Sequence, residues 1–276
     1  MPHSQDTPPI VLTIAGSDSG GGAGIQADIK AISATGSYAC SVITAVTSQN
    51  TLGVSAIHPI PVEHIESQLD SVFTDLNVVA VKVGMLADAN IIAMVARKIR
   101  QYKPKYLVVD PVMVATSGDP LLAQSAVATL KEQLLPLADL VTPNLPESAA
   151  LVGGEIPQNE QQMAEMVESL RALGAKAVLL KGGHLDEVEN SSDLLIEQQS
   201  YDLLSAKRIK TTNTHGTGCT LSSAIASYLA QGNRLHKAVY LGKQYISQAI
   251  SYADELKVGS GHGPVHHFFC GHVNVR

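Results

Sequence analysis

Short apolar segments alternate with longer amphipathic segments along almost the whole chain. Residues 10–15 and 106–110 are typical of buried strands, because each is a mainly apolar run that ends at a glycine or a proline. Between such runs lie segments with helical spacing, for example the one in which Val62, Ile65 and Leu69 share a face. This alternation predicts βαβ units and therefore an α/β fold with a central, mostly parallel sheet.

The same criteria predict the remaining elements. Further strands are expected at residues 41–46, 78–83, 139–142 and 177–181, with a β pair near 194–196 and 203. Helices are expected up to about residue 34, and at 62–76, 91–99, 121–134, 218–230 and 235–256. Because no linker rich in proline, glycine or serine divides the chain, one domain over residues 1–276 is expected.

The composition argues against several classes of partner. The chain has 19 basic and 25 acidic residues, a net charge of −6, which does not suit a general nucleic-acid binder. No run approaches the ~18 apolar residues of a membrane span, and residues 1–9 lack the features of a signal peptide. The three cysteines lie far apart and form no disulfide framework. A cytoplasmic protein without a membrane or nucleic-acid partner is expected.

A glycine-rich turn over residues 16–28 follows the first strand. Its segment Gly22-Ala-Gly24-Ile-Gln-Ala27 matches the dinucleotide fingerprint G-x-G-x-x-A in the right place, between a strand and a helix. The fingerprint also expects an acidic residue about 20 positions further on, and residues 41–50 contain none. The spacing alone therefore leaves a ligand-binding turn and a simple tight turn equally open.

Two other strand ends carry polar residues that suit a phosphate or a cation. Asn144 and Glu147 open a short helix, where their oxygen atoms could hold a hydrated Mg²⁺ or simply begin the helix. Taken alone, this pair favours the simple helix start. Lys181 ends a strand before two glycines and His184, and could meet a phosphate or only be solvated.

The most specific segment is residues 212–223, where Gly216 and Gly218 precede a long apolar helix. Backbone N–H groups of this loop and of the helix start can form an anion site at the positive end of the helix dipole. The segment is not a Walker A loop, because G-x-x-x-x-G-K-[ST] occurs nowhere in the chain. Cys219 stands at the helix start, where the pKa of a thiol is expected to be lowered. A buried structural cysteine is the alternative, and the anion loop favours the functional interpretation.

Seven segments in one order resemble the hydroxymethylpyrimidine/phosphomethylpyrimidine kinases of thiamine biosynthesis, in the ribokinase superfamily. The resemblance covers about residues 10–268. Any one segment alone would be weak evidence for the family, but seven segments in the same order are specific evidence. They are residues 16–28, Lys82-Val-Gly-Met-Leu86, Val109-Asp-Pro-Val-Met113, Thr142-Pro-Asn-Leu-Pro-Glu147, Lys181-Gly-Gly-His184, Asn213-Thr-His-Gly-Thr-Gly-Cys219 and Gly263-Pro-Val-His-His267.

The resemblance implies a ribokinase-like sheet flanked by helices on both faces, with little or no separate lid. It also implies ATP and Mg²⁺ as cofactors and a homodimer as the assembly. The implied reaction is phosphorylation of the hydroxymethyl group of 4-amino-5-hydroxymethyl-2-methylpyrimidine. The resulting monophosphate is then phosphorylated to the diphosphate.

Site residues follow from the resemblance by position. The pyrimidine pocket would include Gly16, Asp28, Gln49, Met85 and Val112. The Mg²⁺ and phosphate side would include Asp110, Asn144 and Glu147, with Lys181 and Thr214 toward the nucleotide. The anion hole would be formed by Gly216, Thr217 and Gly218, and Cys219 would be the catalytic base.

Cys219 narrows the choice among branches of the superfamily, but it does not determine the substrate. Most sugar kinases of this superfamily have an aspartate base where this chain has Cys219. Pyridoxal kinase activity also occurs among relatives that carry the cysteine, so a pyridoxal or pyridoxine kinase stays open. A ligand-binding module that has lost phosphoryl transfer is a further alternative, and a dinucleotide-dependent oxidoreductase is a third.

Overall fold

The computed structural model describes residues 7–113, 122, 125–183, 185 and 189–270. Its strands within these ranges are β1 Ile10–Asp18, β2 Tyr38–Asn50, β3 Gly53–Pro59, β4 Val78–Val83, β5 Tyr106–Val109, β6 Leu140–Val141, β7 Ala177–Lys181, β8 Asn190–Glu197 and β9 Tyr201–Lys207. They form one sheet in the order β3-β2-β1-β4-β5-β6-β7-β8-β9. No second sheet forms a separate lid within the described part of the chain.

The centre of the sheet is parallel and both of its margins are antiparallel. β1 pairs in parallel with β2 and β4, and the parallel pairing continues through β5, β6 and β7. β3, β8 and β9 run antiparallel to their neighbours. The sequence analysis did not predict β3, because this edge strand is mostly exposed and has no apolar run.

The helices are α1 Gly24–Ala34, α2 Val62–Asp75, α3 Ala89–Tyr102, α4 Ala126–Thr129, α5 Leu145–Val152, α6 Glu160–Glu165, α7 Val167–Arg171, α8 Thr217–Ala230 and α9 Leu235–Ser251. α4 continues as a π-helical turn at Leu130–Leu134 and a 3₁₀ turn at Leu135–Leu137. The start of the helix predicted at 121–134 falls mostly outside the described residues. The predicted last helix ends five residues early, and a 3₁₀ turn follows at Ala253–Glu255. None of the described helices combines the length and hydropathy that a membrane crossing requires.

Both faces of the sheet are covered, as the family resemblance predicts. Leu12 and Ile14 of β1 point into a core that α2 and α3 help to close. Val11, the neighbour of Leu12 on the same strand, points to the opposite face of the sheet, where it joins a second core with Ile225 of α8 and Val239 of α9. This alternation along a strand buried on both sides is the reason why β1 is an apolar run.

The order of the strands determines where a ligand can bind. The chain leaves β1 toward β2 and β3 on one side, and then returns to place β4 on the other side of β1. In open parallel sheets, ligand crevices form where the order reverses in this way, at the carboxyl ends of the strands. The loops after β1, β4 and β5 therefore face the candidate site.

Candidate active site

A cavity of about 680 Å³ lies over the carboxyl ends of the parallel strands and the N-terminus of α8. Most of the residues predicted from the sequence line it. They are Gly16, Gln49, Met85, Asp110, Val112, Asn144, Glu147, Lys181, Thr214, Gly216, Thr217, Gly218 and Cys219. His184 of the Lys181 segment lies outside the described residues. The cavity thus brings together the ends of six strands, β1, β2, β4, β5, β6 and β7, and the starts of α5 and α8.

Asp28, which the resemblance places in the pyrimidine pocket, is the exception. Its side chain is completely buried and does not line the cavity. Its carboxylate accepts hydrogen bonds from Thr13 Oγ1 at 2.6 Å and Ser223 Oγ at 2.7 Å, and pairs with Lys82 at 2.9 Å. α1 turns this face of the helix toward the interior, so Asp28 lies beneath the cavity and supports it.

Lys82 is a charged residue that the sequence analysis did not place in the site. It stands in the apolar strand β4 and is completely buried. Burial acts to lower the pKa of Lys82, but the negative charges of Asp28 and Asp110 outweigh it, so the pKa lies above its usual value. A lysine within an apolar strand was the available signal, because a buried charge needs a partner. Lys82 places a fixed positive charge beneath the cavity.

The loop before α8 has the backbone geometry of an anion site. Gly216 has φ +78°, in the left-handed region, and a Cβ there would overlap the carbonyl oxygen of Gly22. The first hydrogen bond of α8 runs from Thr220 N to Gly216 O at 2.9 Å. The amides of Gly218 and Cys219 precede that bond, so they have no acceptor within the helix. These two N–H groups are available to an anion at the positive end of the helix dipole.

Gly218 also keeps the loop close to two charged groups. A Cβ at this position would lie 3.2 Å from Lys181 Nζ and 3.3 Å from Asp110 Oδ2. Lys181 donates to Asp110 Oδ1 at 2.8 Å, and Thr142 Oγ1 donates to the same oxygen at 3.1 Å. Burial acts to raise the pKa of Asp110, but Lys181 and Lys82 outweigh it and hold the pKa below its usual range. Asp110 is therefore an ionised carboxylate beside the anion loop.

The expected lowering of the Cys219 pKa is wrong for the ligand-free protein. Burial raises the pKa of the Cys219 thiol to about 11, and the charges of Asp28 and Asp110 act in the same direction. Lys82 and a hydrogen bond to the Gly24 backbone only partly offset this effect. The helix start thus does not by itself produce a thiolate, because loss of solvent is the larger effect.

Asn144 and Glu147 combine a structural role with a place in the cavity. Glu147 N donates to Asn144 Oδ1 and Asn144 N donates to Glu147 Oε2, both at 2.8 Å, which is a complete capping box at the start of α5. Burial raises the pKa of Glu147 to about 7, and Asp110 adds to this while Lys181 opposes it. The site therefore holds two buried carboxylates and one nearby ammonium group at this end.

The glycine-rich turn does not cradle a phosphate with its amides, because its own aspartate takes them. Asp18 accepts from the N–H groups of Gly20, Gly22 and Ala23 at 2.8, 3.0 and 2.8 Å. Gly24 has φ +54°, and a Cβ there would overlap the carbonyl oxygen of Gly16. The match to the dinucleotide fingerprint is therefore a tight turn that packs against β1.

Asp18 and His215 join the glycine-rich turn to the anion loop. His215 Nε2 lies 2.9 Å from Asp18 Oδ2 and 3.4 Å from Gln49 Nε2. Burial acts to raise the pKa of Asp18, but hydrogen bonds from His215, Ala23 and Gly20 outweigh it and keep the pKa below its usual range. Both residues stand inside segments that the sequence analysis singled out, although neither was assigned to the site. The sequence signals that could have identified them were an acidic residue at a strand end and a histidine in a glycine-containing loop.

The two ends of the cavity differ in character. At one end Gly16 leaves room for Met85, since a Cβ on Gly16 would lie 3.0 Å from the Met85 sulfur. This end suits a flat apolar ring with a polar edge toward Gln49. The other end passes Lys181 and reaches α9 at Lys243, whose ammonium group donates to Asp193 at 2.7 Å.

Comparisons with known proteins agree with this geometry. Residues 18–266 match the family model described as phosphomethylpyrimidine kinase. A hydroxymethylpyrimidine/phosphomethylpyrimidine kinase of Rhizobium meliloti (strain 1021) is 54% identical over 259 residues, which cover 94% of this chain and 97% of that protein.

Solved structures with the same fold include kinases for two vitamin pathways. The phosphomethylpyrimidine kinase of Clostridium difficile 630 has a TM-score of 0.77 at 45% identity, covering 88% of this chain and 99% of that one. The ADP complex of Bacillus subtilis pyridoxal kinase has a TM-score of 0.88 at 35% identity, covering 95% and 98%. These likenesses confirm the resemblance predicted from the seven segments, and the chain, a kinase with a ribokinase-like fold, belongs to the phosphomethylpyrimidine kinase family.

Proposed function

We propose that this kinase transfers the γ-phosphoryl group of ATP to the hydroxymethyl group of 4-amino-5-hydroxymethyl-2-methylpyrimidine, and then phosphorylates the monophosphate to the diphosphate. The observation that carries the proposal is the position of the anion loop. The amides of Gly218 and Cys219 lie between the ring end of the cavity, near Gln49 and Met85, and the charged end, at Lys181. A hydroxyl on a ring and a terminal phosphate could therefore meet at one point.

Each end of the cavity has a separate task in this reaction. Gln49 offers a donor and an acceptor to the polar edge of the ring, while Gly16, Met85 and Val112 bound the ring. Lys181 and Thr214 face the phosphates of the nucleotide. Holding the two reactants in line accounts for much of the rate of a phosphoryl transfer, because the protein has little covalent chemistry to perform.

The donor set at the charged end fits a magnesium ion. Asp110, Glu147 and Asn144 supply hard oxygen ligands, which Mg²⁺ prefers. Burial, aided by the negative charge of Asp110, raises the pKa of Glu147 to about 7 against the opposing ammonium of Lys181. A bound cation would favour the ionised form of Glu147. When bound, the ion would neutralise charge on the β- and γ-phosphate oxygens.

We assign the catalytic base to Cys219, which faces the cavity at the start of α8. The buried Lys82 ammonium favours the thiolate, and the amides of the loop favour negative charge on the group being transferred. Because burial raises the pKa of the thiol to about 11, Cys219 would be a thiol in the resting enzyme. It would first release its own proton to solvent as the substrates assemble, and the resulting thiolate would then take the hydroxyl proton. The alternative role for Cys219 is packing alone, with the loop amides as the catalytic groups.

The ADP complex of the similar pyridoxal kinase favours one second candidate, a pyridoxal kinase. Both substrates are flat heteroaromatic rings that carry a hydroxymethyl group. A coupled assay of ADP release with each ring, and with no ring as the control, separates the two. Faster turnover of pyridoxal than of the pyrimidine would contradict the proposal, and turnover with neither would favour a non-catalytic binding module.

A homodimer and a cytoplasmic location, which the family resemblance implies, belong to the same proposal. Light scattering of the purified protein measures the first. A mass of one chain, near 29 kDa, would contradict it. Cell fractionation measures the second.

A further inference from the structure

Residues 263–267 belong to the family resemblance, and their first residue pairs with the anion loop. His215 N donates to Gly263 O at 3.0 Å, and Gly263 N donates to Asn213 Oδ1 at 3.0 Å. The amide and the carbonyl of Gly263 are thus both taken by residues that lie just before Gly216. The C-terminal segment therefore holds the anion loop from the side opposite α8.

The carboxamide of Asn213 connects this pairing to the end of α9. Its nitrogen Nδ2 donates to Asp254 Oδ1 at 2.7 Å, and Thr211 Oγ1 donates to the same oxygen. The hydrogen bonds from Thr211 and Asn213 hold the pKa of Asp254 below its usual range, so its carboxylate is ionised. The cavity is lined by Thr214 and the residues after it, whereas Asn213 does not line it. Asn213 can therefore affect the reaction only through the loop.

Its two partners determine which way the Asn213 amide points. A backbone N–H group can only donate, and an ionised carboxylate can only accept. Oδ1 must therefore face Gly263 and Nδ2 must face Asp254, because the reverse orientation would oppose two donors and two acceptors. The contact is also close, since a Cβ on Gly263 would overlap Asn213 Oδ1. An aspartate at position 213 would have the same shape but no donor for Asp254.

We propose that Asn213 is a positioning residue, which sets the anion loop in place for phosphoryl transfer by joining it to Gly263 and Asp254. The proposal rests on the proposed function, in which the amides of Gly218 and Cys219 meet the transferred group. Phosphoryl transfer depends on position more than on covalent chemistry, and a misplacement of about 1 Å can lower a rate by about 10²-fold. A shift at the start of the loop would move both amides.

The test reverses the polarity of the hydrogen bond between Asn213 and Asp254. Asn213→Asp keeps the shape and the acceptor for Gly263, but it places a second carboxylate against Asp254. We expect kcat to fall by about tenfold or more, with the KM values for ATP and the ring within about twofold of wild type, because the groups that bind the substrates are unchanged. In the double variant N213D/D254N the donor stands at position 254 instead, so kcat should recover to within a few-fold of wild type.

Two further variants serve as controls. Asn159→Asp makes the same change at an exposed helix N-cap, where aspartate serves equally well, so kcat and the melting temperature should match wild type. Asn213→Ala removes the amide without adding a charge. It should lower kcat as N213D does, and D254N should not restore it. This alanine variant also replaces N213D if that protein does not fold, and a normal kcat in it would contradict the proposal.

Three other results would overturn the inference: a normal kcat in N213D, a loss of kcat that D254N does not reverse, or a loss that appears in the KM for ATP instead of kcat. A lower melting temperature in N213D that accompanies an unreversed loss would show a structural role alone. Each comparison is made against wild type with the ring that it phosphorylates. A wild type that phosphorylates only pyridoxal contradicts the proposed function, while the ratios among the variants still decide the role of Asn213.

Discussion

Lys82 Nζ lies 2.9 Å from both carboxylate oxygens of Asp28, and neither side chain is exposed to solvent. The pair connects β4 to α1 directly beneath the start of α8, where Ser223 also donates to Asp28. A buried ion pair therefore lies beneath the cavity, its carboxylate also accepts hydrogen bonds from Thr13 and Ser223, and its ammonium group keeps a positive charge near Cys219.

Breaking this pair should destabilise the whole domain. Asp28→Asn keeps the shape of the side chain but leaves the Lys82 ammonium buried without a negative partner. The expected loss is about 3–5 kcal/mol in the free energy of unfolding, because an uncompensated buried charge is costly. Urea denaturation followed by circular dichroism measures it. The control Glu168→Gln removes a mostly exposed acid paired with Arg171, and its effect should be small. Equal stability of the two variants would show that the buried pair contributes little.

Removal of the proposed base should affect turnover rather than nucleotide binding. Cys219→Ala is expected to lower kcat by about 10²–10⁴-fold at saturating ATP and Mg²⁺, since a positioned base contributes about that much. Cys219→Ser should not restore the rate, because a hydroxyl is much less acidic than a thiol. Steady-state kinetics and ADP binding are the two measurements.

The rival account of the same loop makes the opposite prediction. If the amides alone carry catalysis, Cys219→Ala keeps kcat within a few-fold of wild type. A bulky residue at Gly218 would abolish activity under either account, because it would reach Lys181 and Asp110. A nearly normal Cys219→Ala enzyme would therefore return the cysteine to a packing role.

The requirement for magnesium should depend on the charge of Glu147. Glu147→Gln keeps the capping box of α5, since glutamine also serves at this position, but it removes one negative charge from the charged end of the cavity. The Mg²⁺ concentration for half-maximal rate should rise by roughly tenfold or more. Glu160→Gln, at an exposed position on α6, is the control. An unchanged magnesium titration for Glu147→Gln would leave this residue with its structural role alone.

Acid should destabilise the protein through His267. Burial lowers the pKa of this histidine to about 4, and Thr220 Oγ1 lies 2.9 Å from its Nε2. The unfolded chain takes up a proton near the ordinary pKa of 6.5, so stability is full above that pH and is lost as pH falls toward 4. The loss amounts to roughly 3 kcal/mol for a shift of this size.

Comparison of His267→Gln with wild type isolates this contribution. Glu147 acts in the opposite direction, because its pKa is raised and its contribution grows as pH falls from about 7, but it is present in both proteins and cancels in the comparison. The unfolding free energy of wild type minus that of His267→Gln should therefore fall between pH 7 and pH 4. Parallel pH profiles of the two proteins would contradict the burial of a neutral His267.

The sequence predicted the central strands of the sheet better than its edge strands and the ends of its helices. The apolar runs that became β1, β4, β5 and β7 are buried on both faces, and such strands are visible without any knowledge of their neighbours. The sequence did not predict β3, because an exposed edge strand needs no apolar run. The end of α9 at Ser251 was placed too late for a similar reason, since the helical pattern continues into the 3₁₀ turn at 253–255.

By itself, the sequence determined the family and the set of loops that meet. Residues such as Asp110, Asn144 and Lys181 lie at or just after the end of a parallel strand, and the carboxyl ends of parallel strands must lie at one edge of the sheet. The tertiary structure alone decided how these groups are solvated and paired. It removed Asp28 from the cavity, joined it to Lys82, and raised the pKa of Cys219 despite the helix start. Burial and electrostatic coupling depend on groups that are tens to hundreds of residues apart, such as Asp18 and His215, and no local pattern in the sequence contains them.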